Sequence, residues 1–478
     1  MILNFMVINN KKIFLLIFFG FLLSVFQNNY NLKNYDKNII DVDGEYYHQM
    51  IKADSRRYLY HGDEIKEQLK SGINFFETGR EHFTKYLPAR IAALYYYLTN
   101  NDLFETPAKK KINLDIHFGY LFFQSLFYFL SITILYLSAN KTFNDKICFY
   151  LILFLCFEPT INQYHSSFWS ESYLITILVL LTSLVIKPNI GKISFFLIGI
   201  FLGLLTLQKE YAIFYIIPIT LYFSFFYGYK NYRNILLIFF GFFIILSILG
   251  LNNFKRSGSF YILTATTKSS LLTHLVKPVI SKKYNLKSNE FLEKYESEAA
   301  KNWIENNSIN YDKIKFDEAK KKGPRAYRES ISNEKDIVKF DDFFFKRTFK
   351  YIFENPIDFA THITKKSIHI TLLNPFHIYS DNKFKSGEIY YTSEKHDQLV
   401  PYRIFYTFVI YLISCIGLIV MIKEKNYKLL FFIISSLFFF FAPISWIGNT
   451  RNFVPCLIFI SFLFSFGLTK VLEIKKKY

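Results

Sequence analysis

Long apolar runs recur along this chain, and they constrain its fold more than any other feature. Each approaches the length needed to cross a hydrocarbon layer of about 30 Å. Because lipid offers no hydrogen-bond partners to the backbone, each run must be helical. We therefore predict an all-α polytopic membrane protein of about ten transmembrane helices. The runs lie at residues 13–27, 116–137, 147–158, 171–187, 193–208, 211–228, 234–251, 402–422, 429–447 and 453–470.

The runs divide the chain into three predicted parts. Residues 1–251 form an N-terminal membrane core of seven spans, which includes the polar segment 28–115. Residues 252–401 form a mostly helical loop domain, and residues 402–478 contribute three spans and a tail. No small-x-small cleavage site follows Phe26, so we expect the first run to be a retained anchor.

The formal net charge of +19 sits largely in the short loops between runs. If the sides of the membrane are numbered by alternation, nearly all short-loop Lys and Arg fall on one side, and only Lys209 and Arg451 fall on the other. By the positive-inside rule, both termini are cytoplasmic and the two long polar segments are extracytoplasmic. The charge thus reflects topology, and we expect a multi-pass protein of a cell inner (plasma) membrane with no nucleic-acid partner.

An acidic cluster follows the first run. Within Asp41-Val42-Asp43-Gly44-Glu45-Tyr46-Tyr47-His48, three carboxylates and a histidine stand within eight residues. Carboxylates placed there are either solvated loop charges or the base of an enzyme at a membrane surface.

Further polar residues fall on the same predicted side. They are His165, Glu171 at the start of a span, Lys209 in a tight turn, and Arg451 before the last span. Charges at a span edge must be solvated, paired or used. Each residue also has a purely structural interpretation. Glu171 could simply start a helix, where an acidic residue is favoured. Lys209 and Glu210 could form a solvated turn. Taken together, the residues indicate a site.

This set suits transfer of a sugar from a lipid phosphate. A carboxylate can act as general base on an acceptor hydroxyl. Lys and Arg can hold the phosphate, Arg bidentately and Lys as a point charge.

The pattern resembles the membrane glycosyltransferases of the multispanning C-type (GT-C) fold, the group that includes protein mannosyltransferases and lipid A aminoarabinose transferases. The topology matches, and so do short motifs over most of the chain. These motifs are Asp43-Gly44-Glu45-Tyr46-Tyr47, Pro88 to Leu98, Phe168-Trp169-Ser170-Glu171, Gly203 to Lys209, Asn355-Pro356 with Phe359, and Arg451-Asn452-Phe453-Val454-Pro455. The family often has two consecutive prolines where this chain has only Pro88.

The resemblance implies roles for particular residues and an inverting displacement at the anomeric carbon. It implies Asp43 as the catalytic base, with Asp41 as the second choice. The implied substrate-binding residues are Glu45, Glu171, Lys209, Arg451 and His165. The implied partners are a polyprenyl-phosphate sugar donor, membrane lipid, and a glycan, lipid or protein acceptor. No cofactor is predicted; a divalent metal is left open because some relatives bind one near this loop.

Two other functions fit parts of the pattern. An O-antigen-type polymerase or ligase would depend on outer-loop arginines such as Arg325 and Arg328. A transporter or flippase would need ionisable residues and broken helices near the middle of the bilayer, whereas the apolar runs contain almost no charge and one proline of note, Pro218.

Overall fold

The fold is described here from a computed structural model of the chain. The described residues are 2–35, 40–42, 45–47, 54–74, 86–102, 104–106, 111–112, 114–165, 168, 170–228, 232–262, 271–287, 290–320, 327–368, 393–447 and 453–475.

All ten apolar runs coincide with helices, as predicted. The run at 211–228 begins as a 3₁₀ helix, Glu210–Tyr215, before it becomes α-helical. The ten α-helices are α1 (Ile2–Tyr35), α4 (Leu114–Ala139), α5 (Asp145–Phe157), α7 (Glu171–Val185), α8 (Lys192–Gln208), α9 (Ile216–Tyr227), α10 (Tyr232–Ser257), α16 (Ser393–Lys423), α17 (Tyr427–Ile447) and α18 (Val454–Lys475).

Six helices among the described residues are long and apolar enough to cross a membrane. Shorter apolar helices cover Glu171–Val185, Lys192–Gln208 and Tyr427–Ala442. α5 is shorter still, at 13 residues. The chain is a helical polytopic membrane protein, and its apolar helices share one large buried cluster of side chains.

The first polar segment folds into short helices and two small hairpins. α2 (Asp54–Lys70) packs against α3 (Tyr86–Thr99). The hairpins were not predicted: β1 (Ile40–Val42) pairs with β2 (Glu45–Tyr47), and β3 (Phe104–Thr106) pairs with β4 (Lys111–Ile112). The motif from Pro88 to Leu98 lies within α3, which buries one face that includes Arg90.

Lys66 ties this segment together. Its ammonium donates to the carboxylates of Asp63 and Asp102, each at 2.8 Å. Burial alone would lower the pKa of Lys66, but the hydrogen bonds to Asp102 and Asp63 outweigh burial and raise that pKa above its usual value. The link fixes the end of α3 to α2.

The loop domain has its own hydrophobic cluster, which runs from Leu272 to Phe359 in the sequence. It is mostly helical in its described part, as predicted. Its α-helices are α11 (Lys277–Lys283), α12 (Ser297–Asn306), α13 (Lys313–Ala319), α14 (Glu334–Glu354) and α15 (Pro356–Ile368), with π-helical turns at Leu272–Val276 and Phe291–Glu296 and a 3₁₀ turn at Arg328–Ser330. α6 (Pro159–His165) completes the set, in the membrane core.

Candidate active site at one end of the helix bundle

The site is built where α7 begins and α8 ends. Glu171 is the first residue of α7, and Gln208 is the last of α8. Lys209 follows with an extended backbone, φ −143° and ψ 110°, before the 3₁₀ helix starts at Glu210. This break turns the Lys209 side chain towards the start of α7.

Glu171 and Lys209 form a buried ion pair. The ammonium of Lys209 donates to Oε1 of Glu171, and their side chains are 5% and 0% exposed. Ser170 Oγ donates to the other carboxylate oxygen, Oε2, at 3.2 Å. Gln208 Nε2 donates to the carbonyl oxygen of Ser170 at 2.5 Å. Two contacts thus join the start of α7 to the end of α8.

The burial decides between the two interpretations of this turn. Lys209 and Glu210 are only 4% and 7% exposed, so the turn is not solvated. Glu171 does start a helix, but it is also completely buried and charge-paired. Buried charges need such partners because transfer from water costs several kcal/mol for each ion.

His165 lies next to this pair. Ser172, the second residue of α7, makes a 2.8 Å hydrogen bond to its Nδ1. Tyr128 of α4 stacks on the imidazole with ring centroids 3.8 Å apart, and Gln124 donates to the carbonyl oxygen of His165 at 3.0 Å. Two helices, α4 and α7, therefore fix this residue.

The imidazole of His165 is neutral at physiological pH. Burial lowers its pKa to about 3, because the charged form loses its hydration. A neutral ring has one donor and one acceptor nitrogen. His165 therefore suits a hydrogen bond to a substrate hydroxyl and does not supply a cation for a phosphate.

The start of α18 lies at the same end of the bundle. Lys146, at the start of α5, contacts Glu473, near the end of α18, at 3.1 Å. The two helices are therefore antiparallel, and the first turn of α18 lies near the end of α5. Arg451, which precedes α18, is outside the described residues, but its place in the chain is next to this turn.

The acidic motif also approaches this end through the backbone. β1 and β2 pair with Asp41 opposite Tyr46 and Val42 opposite Glu45. β2 lies against β4, and β4 directly precedes α4, the helix that contacts His165. Asp43 lies outside the described residues, and the side chains of Asp41 and Glu45 are likewise not described.

Glu158 has a structural role. Its carboxylate accepts hydrogen bonds from the backbone N–H of Ile161 at 2.7 Å and from Thr160 Oγ1 at 3.0 Å. These bonds cap the start of α6. Tyr406 of α16 also hydrogen-bonds to the carboxylate. Glu158 therefore anchors the short helix that carries His165.

Sequence reasoning missed several of the supporting residues. Gln124 and Tyr128 fix His165 from within an apolar run, and Gln208 ties the two helices at the ion pair. The signal for Gln124 was its polarity inside the run at 116–137. The signal for the β1–β2 hairpin was Asp43-Gly44, an Asp-Gly pair flanked by hydrophobic and aromatic residues.

Among the described side chains, no group of three or more His, Cys, Asp or Glu stands close enough to hold a metal ion. The acidic motif, where the resemblance left a metal open, is not covered by this statement.

No family model matches the chain, and no curated protein matches it. The chain is similar to a solved structure of the archaeal oligosaccharyltransferase AglB from Archaeoglobus fulgidus, in complex with an inhibitory peptide and a dolichol-phosphate. The match has 11% sequence identity and a TM-score of 0.46, and it covers 96% of this chain and 50% of that one. The chain thus spans about half the length of that protein.

Proposed function

We propose that this chain is an integral membrane glycosyltransferase that moves a sugar from a polyprenyl-phosphate donor to an acceptor hydroxyl on the extracytoplasmic face. The observation that carries the proposal is a buried cation, Lys209, oriented by Glu171 at the end of the bundle where α18 begins. The acidic hairpin reaches the same end through β4 and α4.

The proposed reaction is one displacement. Asp43 removes the proton of the acceptor hydroxyl, and Asp41 is the second choice for this base. The acceptor oxygen bonds to the anomeric carbon while the bond from that carbon to the phosphate oxygen breaks. The electron pair leaves with polyprenyl phosphate, and the anomeric configuration is inverted.

The cations stabilise the leaving phosphate. Lys209 has three N–H donors, and Glu171 fixes the direction of the ammonium. A buried ammonium interacts more strongly with a phosphate than an exposed one, because the local dielectric is low. Arg451 would supply a bidentate contact from the start of α18. His165 and Glu45 would contact hydroxyls of the sugar.

The structure offers less support for a polymerase that depends on outer-loop arginines than for the proposed glycosyltransferase. Arg328 is completely buried in the loop domain, with its Nε 3.3 Å from a carboxylate oxygen of Asp341. In this position Arg328 is paired with a carboxylate inside the domain and is not exposed to solvent. Arg325 lies outside the described residues.

The test is release of polyprenyl phosphate by the purified protein. The reaction would contain a mixed pool of polyprenyl-phosphate sugars, with solubilised membrane glycans and lipids as acceptors. We expect Asp43→Asn to lower the release rate by a factor of about 10²–10⁴, the usual contribution of a general base. Asp36→Asn, earlier in the same polar segment, is the matched control and should leave the rate unchanged.

The possible outcomes distinguish an error in the identity of the base from an error in the proposed reaction. Normal release by Asp43→Asn would move the role of base to Asp41 or remove it from this motif. No release by the unaltered protein with any donor in the pool would count against the proposed reaction as a whole.

A further inference from the structure

The loop domain contains an open groove of about 420 Å³ that is separate from the site at Lys209. α12 and α14 line it, with residues just before α12. The residues that matter here are Tyr295, Glu298, Asn302, Trp303, Asn306 and Phe343. Its volume lies within the range of about 300–1,000 Å³ that is usual for small-molecule sites.

One wall is a polar face of α12. Glu298, Asn302 and Asn306 follow one another at intervals of four positions, so they project from one side of the helix. The other side buries Ala300 and Ile304 in the core of the loop domain. The two carboxamides each offer two N–H donors and a carbonyl acceptor to a ligand.

The other wall is aromatic and lies where Trp303 of α12 meets α14. Trp303 stacks on Phe343 with ring centroids 5.7 Å apart and an angle of 28°. Phe340 packs against the indole in an edge-to-face arrangement, with ring centroids 5.4 Å apart. Because α14 holds the ring from two directions, its orientation is set before a ligand arrives. Tyr295 adds a side chain that is 42% exposed.

The floor of the groove carries an ion pair with no net charge. Arg347 donates to both carboxylate oxygens of Glu296, at 3.1 and 2.8 Å. Tyr351 donates to the same carboxylate at 2.8 Å. Because the charges of Arg347 and Glu296 cancel, the carboxylate of Glu298 leaves the groove with a net negative charge, counted over its described lining residues. This charge disfavours an anionic ligand.

We propose that this groove binds an uncharged sugar residue of a glycan. A pyranose has C–H faces that pack on aromatic rings, and its edge carries hydroxyls that donate and accept hydrogen bonds. The groove pairs an oriented indole with a row of carboxamides and a carboxylate, which matches both surfaces. Its openness suits a unit within a longer chain, which must enter and leave at the ends.

The groove would hold the acceptor away from the reacting end, so that its free hydroxyl can reach the base. This role rests on the proposed function, whereas sugar binding does not. The two are therefore measured separately.

Tryptophan fluorescence can report binding directly, because the chain has three Trp in all. The double change Trp169→Phe/Trp446→Phe leaves Trp303 as the single reporter in the full-length protein. The protein would be held in lipid nanodiscs, because detergents with sugar head groups would compete. The probes are methyl glycosides of glucose, galactose, mannose and N-acetylglucosamine, with methyl glucuronide as the anionic comparison.

We expect at least one neutral glycoside to change the emission saturably, and methyl glucuronide to bind more weakly. Asn302→Ala/Asn306→Ala should weaken binding about tenfold or more, since it removes hydrogen bonds worth about 1 kcal/mol each. Glu305→Gln, an exposed change on the same helix outside the groove, should leave binding unchanged. Thermal unfolding of each variant shows whether the fold is intact.

No saturable change with any glycoside would overturn the inference, and so would equal binding by the double Asn variant. Tighter binding of the glucuronide would overturn the preference for uncharged sugars. Asp43-dependent release of polyprenyl phosphate without sugar binding would contradict only the proposal that the groove binds a sugar. Sugar binding without such release would contradict only the proposed glycosyltransferase function.

Discussion

At the scale of single residues, the buried pair of Glu171 and Lys209 has two separable effects. Removing water from two charges costs several kcal/mol for each ion, and their attraction offsets this only if both are present. The pair therefore contributes to stability mainly as a unit. The proposed functional role, in which a cation contacts the donor phosphate, belongs to Lys209 alone.

We expect Glu171→Gln to lower the free energy of unfolding by about 3–5 kcal/mol, because it leaves a buried ammonium without its charge partner. Glu171→Gln/Lys209→Met removes both charges and should recover most of that loss. Thermal unfolding of the purified protein measures both. Donor use should stay low in the double variant, since the cation is absent.

The control is an exposed pair in the same helix bundle. Lys146 and Glu473 are 56% and 41% exposed, so Lys146→Met should change stability by less than about 1 kcal/mol. If Glu171→Gln were as mild, the buried pair would not hold α7 to α8. If the double variant kept full activity, Lys209 would have no part in donor binding.

At the scale of elements, glycines let α8 and α10 pack with their backbones in close contact. A Cβ added at Gly199 would lie 2.1 Å from the carbonyl oxygen of Ile238. A Cβ added at Gly241, across the contact, would lie 2.4 Å from the carbonyl oxygen of Phe196. Small residues on both helices thus let the backbones touch, as is common between membrane helices.

We expect Gly199→Ala to force these helices apart and to destabilise the protein by about 1–3 kcal/mol. Donor use should fall with it, because Lys209 at the end of α8 would move. Thermal unfolding and the polyprenyl phosphate assay measure the two effects. Gly191→Ala, just before the same helix, is the matched control, since a Cβ there meets nothing within 4 Å. Equal behaviour of the two variants would contradict the close contact.

At the scale of the whole molecule, the sequence predicts the helices well and the site only in part. All ten apolar runs are helices, because hydrophobic length is a strong local signal. Burial of Lys209 was not predictable, since a Lys between Gln and Glu in a tight turn also fits a solvated loop. What buries it is the start of α7, which is remote in the chain. The fixing of His165 by Tyr128 is likewise a tertiary contact. The roles of Asp43, Arg451 and the remaining motif residues stay predictions.

Orientation in the membrane is the broadest prediction, because the proposed mechanism needs the loop domain and the acidic hairpin on the extracytoplasmic face. Single cysteines can test it in a variant whose four native cysteines are replaced by alanine. We expect a membrane-impermeant maleimide to label Ile314→Cys, in the loop domain, on intact cells. Glu424→Cys, in the short Lys-rich turn after α16, should react only after the cells are opened. Both positions are exposed, so access to the reagent depends on the side of the membrane. The opposite pattern would put the site at Lys209 on the cytoplasmic face, among nucleotide sugars, and the lipid-phosphate donor would then have to be abandoned.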